Sequence, residues 1–172
     1  NIISKKGKRV NNIIDDKVLY ISNPACATGN FIEIPNIDNS VILDCAYLGS
    51  TETRQISVPK NTEQIYFSFS KGWGLIGQRA GLVFTKQPHK SLHIMKKVEA
   101  WNYTSVEVAI TIVKNFAIDK VYKSYREKQI NLCKQFNLLP ADCFFIANSY
   151  DEAYSKRRRA NNIARINLHS FL

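Results

Sequence analysis

No apolar run in the 172-residue chain approaches the roughly 20 residues that a bilayer-spanning helix needs, so no membrane-spanning helix is expected. Residues 1–9 hold no long apolar core of the signal-peptide kind. They also hold no initiator methionine, which fits a processed end or a fragment of a longer chain. No two of the four cysteines (Cys26, Cys45, Cys133 and Cys143) have Cys-x-x-Cys spacing, so no metal site is expected. They read as buried free thiols of a cytoplasmic protein. His89, His93 and His169 are scattered, with no cysteine or carboxylate at ligand spacing, and read as surface or satisfied histidines.

Acids are also scarce: 14 Asp and Glu stand against 24 Lys and Arg, leaving a net charge of +10. Such a balance can mark a nucleic-acid or membrane partner. The basic residues concentrate in Lys5 to Arg9 and in Lys156-Arg157-Arg158-Arg159. Aromatic residues do not interleave with these tracts as a base-stacking platform requires. Both tracts therefore read as solvated surface, and neither a nucleic-acid nor a membrane partner is expected. No internal repeat, low-complexity tract or disordered linker is evident.

What remains is ordinary globular material, 45% apolar and 22% charged, long enough for a sizeable core. Short apolar runs at Lys17 to Ser22, Ser40 to Asp44, Gln64 to Ser68 and Leu82 to Thr85 read as strands. Their near-continuous apolar character predicts a sheet buried on both faces, with ligands collecting at one set of strand ends. After Pro88 the pattern turns helical. Ser91 to Ala100 is one expected helix, with Leu92, Met95 and Val98 on a face. A long one is expected from about Ser105 to Phe136, linking two lobes. Cys143 to Ala147 and Ile163 to Leu168 read as further strands.

Four stations follow in order along this frame: Asn23-Pro24-Ala25-Cys26-Ala27-Thr28-Gly29, Asp44-Cys45-Ala46-Tyr47, Ser68 to Gly81, and Ala164-Arg165-Ile166-Asn167-Leu168. Each alone has a bland reading. Asn-Pro and Thr-Gly make turns, an aspartate caps helices, and most lysines are solvated. Together they suggest more. Lys71 ends a strand, beside hydroxyls and ahead of an arginine. A lysine so placed can form a Schiff base with a phosphorylated aldehyde.

In this order the sequence resembles the class I and II aminotransferases of fold type I, which depend on pyridoxal 5'-phosphate. Asp44-x-x-Tyr47 is similar to that family's Asp-x-x-Tyr motif. Ser68-x-Ser70-Lys71 followed by Arg79-x-Gly81 is similar to its lysine motif. The resemblance runs over essentially the whole chain but matches only the C-terminal portion of a family member. It implies an α/β fold: three layers around a mostly parallel sheet, with a small α+β C-terminal lobe. Residues 1–102 would be the end of the cofactor-binding large domain, and 103–172 a linking helix with a trimmed small domain. The front half, which supplies a phosphate-binding turn, a ring-stacking aromatic and part of the substrate pocket, has no counterpart here.

The resemblance implies roles as well. Lys71 would carry the Schiff base and move the Cα proton. Asp44 would pair with the pyridine nitrogen, and Tyr47 with the ring's phenolic oxygen. Ser68, Ser70 and Arg79 would hold the phosphate. Arg165 would grip the substrate α-carboxylate, and Asn23 would position substrate or simply make its turn. Arg157, Arg158 and Arg159 are alternatives to Arg165 but read as a polar loop. Cys26 departs from the pattern, standing where the family has an asparagine on the phenolic oxygen, and a thiol is a weak donor. Trp73 would line the pocket mouth or pack beside it. The resemblance also implies an amino acid and a 2-oxo acid as substrates, and a homodimer or assembly with the absent front half. A lyase or decarboxylase of the same fold, and a non-catalytic relative of it, are the alternative readings.

Overall fold

The apolar runs form strands close to where the sequence places them. The structure is a computed structural model that describes residues 2–3, 9–10, 18–160 and 162–172, with the backbone alone at 2, 3, 9, 10 and 160. The basic tract 5–9 lies outside the described residues apart from the backbone of Arg9, and so does Lys17 at the start of the first expected strand. Strands β1 (Ile2–Ile3), β2 (Arg9–Val10), β3 (Leu19–Ser22), β4 (Val41–Cys45), β5 (Thr62–Ser68) and β6 (Gly81–Thr85) form one sheet in the order β2-β1-β3-β4-β5-β6. Its centre, β3-β4-β5, is parallel, and the flanking pairs are antiparallel.

Period-2 alternation divides the sheet's faces. Leu19, Ile21, Val41, Leu43 and Cys45 point to one side and are almost fully buried. Each such side chain contributes about 1.5–3 kcal/mol by leaving water. The crossovers between the parallel strands contain no α-helix. Ile32, Ile34, Ile37 and Ile56 from these irregular segments cover the core face. The opposite face carries Tyr20, Ile42, Asp44, Gln64 and Tyr66, all only half-buried. The expectation of burial on both faces is therefore corrected: alternation places polar and phenolic groups on that second side. At edge strand β6 the core face also opens: Leu82 and Phe84, which pair with Phe67 and Ile65, are exposed.

A four-residue helix, α1 (Phe69–Gly72), follows β5 directly, and α2 (Lys90–Lys97) follows β6. The single long helix expected from Ser105 to Phe136 is instead two, α3 (Tyr103–Asn115) and α4 (Lys120–Gln135). Phe116 is extended (φ −134°, ψ 142°) and stops the first helix. The Asp119 carboxylate then accepts from the Thr53 backbone N–H at 3.4 Å and pairs with Lys123 at 3.0 Å, fixing the start of the second. The break spans about one helical turn, so the apolar period carries across it and hides it from the sequence.

A second, four-stranded antiparallel sheet closes the chain: β7 (Leu139–Pro140), β8 (Ile146–Ser149), β9 (Arg158–Ala160) and β10 (Ile163–Asn167), in the order β7-β8-β10-β9. The strand expected at Cys143 to Ala147 begins later, at Ile146. The Cys143 and Phe144 N–H groups instead donate to Gly29 O and Ser50 O, both at 3.0 Å, in loops of the large sheet. Gln129 of α4 is fully buried, and its amide donates to the carbonyls of Ala141, Cys143 and Ile146. The same carbonyls also accept from Arg126 and from the Ile146 and Ala141 N–H groups, so the Gln129 bonds add to these and tie the turn to α4.

Candidate active site

Parallel pairing of β3, β4 and β5 brings Ser22, Asp44 and Tyr66 into one row across the strands. Ser22 Oγ donates to Asp44 Oδ2 at 3.1 Å, and the Ala46 N–H donates to Oδ1 at 2.9 Å. Both carboxylate oxygens are thus held, which fixes the direction of the group. Tyr20, two residues before Ser22, shares this face with Asp44. Burial first, and then the neighbouring Asp44 carboxylate, push the Tyr20 phenol well above its ordinary range, so it stays protonated. Nothing in the sequence pointed to Tyr20 or Ser22. The alternation of β3 places them on one face, but only the β3–β4 register shows that they face Asp44.

Past Cys45 the chain turns through Tyr47 into a 3-10 turn, Leu48–Ser50. The Tyr47 ring is buried against Phe145, with centroids 5.9 Å apart. Two cations meet this ring. Lys71 Nζ lies 5.7 Å from its centroid and Arg165 Cζ 5.5 Å. Arg165 also donates from Nη2 to Tyr47 Oη at 3.3 Å and from Nη1 to the Cys26 carbonyl at 2.6 Å. Cys26, Tyr47, Lys71 and Arg165 therefore converge, although the last is 94 positions beyond Lys71 in the chain. Tyr47 accepts from Arg165, so its own proton remains available to a ligand.

The lysine is delivered by the β5–α1 junction. Ser68 Oγ accepts from the Ser70 N–H at 3.2 Å and caps the short helix. Phe69 is fully buried with Ala109 and Ile112 of α3 beneath the turn. Gly72 lets the turn sit against the 3-10 turn, because a Cβ there would lie 2.1 Å from Gly49 O. The result is an exposed Lys71 side chain on a firmly seated backbone.

The other expected residues fall differently. Asn23 is buried, and its amide is occupied at both ends by the backbone of Ile32, at 3.2 and 3.1 Å, so it serves the turn. The Cys26 thiol is half-buried and all four cysteines are free thiols. Burial first pushes Cys45 and Cys143 up to about 12, which keeps both protonated and unreactive. Arg79 has a left-handed backbone (φ 49°) and lines an apolar groove between β6 and α3, with no hydrogen bond to Ser68 or Ser70 among the described residues. The pairing of Ser68 with Gly81 and the bond from the Phe69 N–H to Ala80 O at 3.2 Å set the Arg79 backbone beside the Ser68–Ser70 turn. Trp73 packs on Phe116 at 5.6 Å rather than standing free at a pocket mouth. His89 Nε2 lies 3.3 Å from Tyr66 Oη, while its Nδ1 is buried without a hydrogen-bond partner among the described residues, so the ring is only half satisfied.

The donor set suits pyridoxal phosphate at its reactive end: an accessible amine, a phenol with a free proton, and a carboxylate held at both oxygens. Comparison with known proteins agrees at the level of fold. The architecture is that of the fold type I pyridoxal-phosphate-dependent transferases, in part. Among solved structures it is similar to L-threonine-O-3-phosphate decarboxylase from Porphyromonas gingivalis (TM-score 0.56, 17% identity, 87% of this chain and 58% of that one). It is similar to histidinol-phosphate aminotransferase from Sinorhizobium meliloti, solved with pyridoxal-5'-phosphate (TM-score 0.56, 18% identity, 87% and 52%). An aminotransferase from Staphylococcus aureus is comparable (TM-score 0.57, 13% identity, 88% and 53%). The chain thus spans little more than half the length of each. No protein-family model matches the sequence, and no curated protein matches it.

Proposed function

We propose that this chain forms the lysine-bearing portion of a pyridoxal-phosphate-dependent aminotransferase acting on an amino acid and a 2-oxo acid. The observation that carries the reading is the meeting of Lys71 and Arg165 on the Tyr47 ring, with Asp44 three residues before Tyr47. Lys71 would bind the cofactor aldehyde covalently, and its freed amine would take and return the substrate Cα proton. Asp44, steadied by Ser22 and the Ala46 N–H, would accept from the pyridine nitrogen. Tyr47 would donate to the ring's phenolic oxygen, and the Cys26 thiol would lie near that edge. Arg165 would exchange its contact with the Cys26 carbonyl for the substrate α-carboxylate. Ser68, Ser70 and Arg79 would meet the phosphate. When bound, the cofactor supplies an electron sink for charge at Cα.

Decarboxylation shares this machinery, and one structural neighbour is a decarboxylase. A non-catalytic relative is favoured by a different observation. The half-covered sheet face and exposed edge strand leave much of the fold open. We propose that a polypeptide equivalent to the front portion of the neighbours covers it. The reaction would then need that portion, while the lysine chemistry would not. The test is to add pyridoxal phosphate to the chain and record the visible absorbance of the bound cofactor. A yellow band in the wild type and none in Lys71→Ala supports the reading. An equal band in Lys71→Ala overturns it, and no band even with the front portion supplied would favour the non-catalytic relative.

A further inference from the structure

Two side chains of the small sheet grip the turn that follows β3. Asn148 of β8 and Arg165 of β10 stand directly opposite each other in an antiparallel pair. They therefore project from one face, with Cβ atoms about 4.5–5.5 Å apart. Arg165 Nη1 donates to the Cys26 carbonyl, and Asn148 Nδ2 donates to the Thr28 carbonyl at 2.9 Å. The turn lies close against β8, since a Cβ on Gly29 would sit 2.8 Å from Ile146 Cδ1. Asn148 is only 5% exposed, and its Oδ1 is buried without a hydrogen-bond partner among the described residues. The amide cannot simply be turned over, because that would set two carbonyl oxygens against each other at Thr28. A buried acceptor left bare is costly, and a donor that arrives there recovers the cost.

Arg165 is the donor at hand. It spends one N–H on the Cys26 carbonyl and one on Tyr47 Oη. A guanidinium carries five N–H donors in one rigid plane, so others remain. To grip a carboxylate with two of them, that plane must be held at one angle. A neutral acceptor beside it sets the angle without competing for the charge. We propose that Asn148 is the positioning residue for Arg165. When a substrate α-carboxylate replaces the Cys26 carbonyl on the guanidinium, Asn148 Oδ1 accepts one of the remaining Arg165 N–H groups. Asn148 Nδ2 meanwhile stays on the Thr28 carbonyl, so the arginine is anchored to the turn that carries Cys26. This rests on the proposed aminotransferase reading and deepens it.

The test compares phosphopyridoxyl-L-alanine with phosphopyridoxyl-ethylamine, which lacks only the carboxylate, by calorimetry on the full chain. The wild type should bind the carboxylated ligand more than about tenfold more tightly. Asn148→Leu keeps the volume and removes the amide, and it should cut that preference by about tenfold. Its affinity for the ethylamine ligand should not change. In an Arg165→Ala background, Asn148→Leu should have no further effect on the preference, because the two residues act as one unit. A merely structural role would weaken both ligands alike. A second measurement needs no variant. The side-chain amide NMR signals of Asn148 in the wild-type chain should move with phosphopyridoxyl-L-alanine and stay in place with the ethylamine. A preference that survives Asn148→Leu, an equal loss for both ligands, or unmoved Asn148 signals overturns the proposal and leaves the cofactor reading intact. Binding of neither ligand by the wild type would sink the aminotransferase reading, and this proposal with it.

Discussion

Gly72 is the residue on which the position of Lys71 most depends. Its Cα approaches the 3-10 turn after Tyr47 so closely that a Cβ would lie 2.1 Å from Gly49 O and 2.8 Å from Ser50 N. Both are backbone atoms and cannot rotate away. Gly72→Ala should cost about 1–3 kcal/mol in urea unfolding, as overpacking does. It should also weaken the absorbance of bound cofactor, because the lysine and Tyr47 are driven apart. Unchanged stability together with an unchanged band would show that the close approach is dispensable. At this scale motif and order singled out Lys71, Asp44, Tyr47 and Arg165, and the fold brings Lys71 and Arg165 onto the Tyr47 ring. Tyr20 and Ser22 were not singled out, because facing Asp44 depends on a strand register that spacing does not encode. Arg79 was legible as a motif, but its left-handed backbone and its place beside the apolar groove were not.

Among elements, the strands of the large sheet and β10 were readable from short apolar runs. The helix break was not, since residues 116–119 preserve the helical phase. That break is held by Asp119. Burial raises the cost of its charge, but the hydrogen bonds from Lys123 and Thr53 outweigh this and hold its carboxyl below the ordinary carboxylate range. A folded-state value below the unfolded one, about 3.9, contributes stability that is present above about pH 4. It is lost as pH falls through the lower folded value. Asp119→Asn should therefore destabilise the chain by about 1 kcal/mol at neutral pH. The difference from wild type should shrink below about pH 4, as urea titrations at both pH values would record. A difference that does not vary with pH would mean that the charge of Asp119 plays no part. The small sheet shows the opposite limit of legibility. Its β8 begins three residues later than the apolar run suggests, because the Cys143 and Phe144 N–H groups are bonded to loops of the other sheet.

At the scale of the molecule, the order of the four stations pointed to the fold, and the solved structures agree with it over 52–58% of their length. What the sequence concealed is the sidedness of the large sheet. One face is closed by isoleucines from irregular crossovers, while the other presents Tyr20, Asp44 and Tyr66 half-buried. The side that carries Asp44 is the open one, so the residues proposed for catalysis lie where a covering polypeptide would complete the site. The central claim is narrower than activity and does not wait on that cover: Lys71 is the residue that takes the cofactor. Borohydride reduction of the chain with pyridoxal phosphate, followed by proteolysis and mass spectrometry, measures this directly. The account predicts a single phosphopyridoxyl adduct on Lys71, in the peptide that contains Ser70-Lys71-Gly72. Reduction that labels other lysines equally, or leaves Lys71 unmodified, would contradict it.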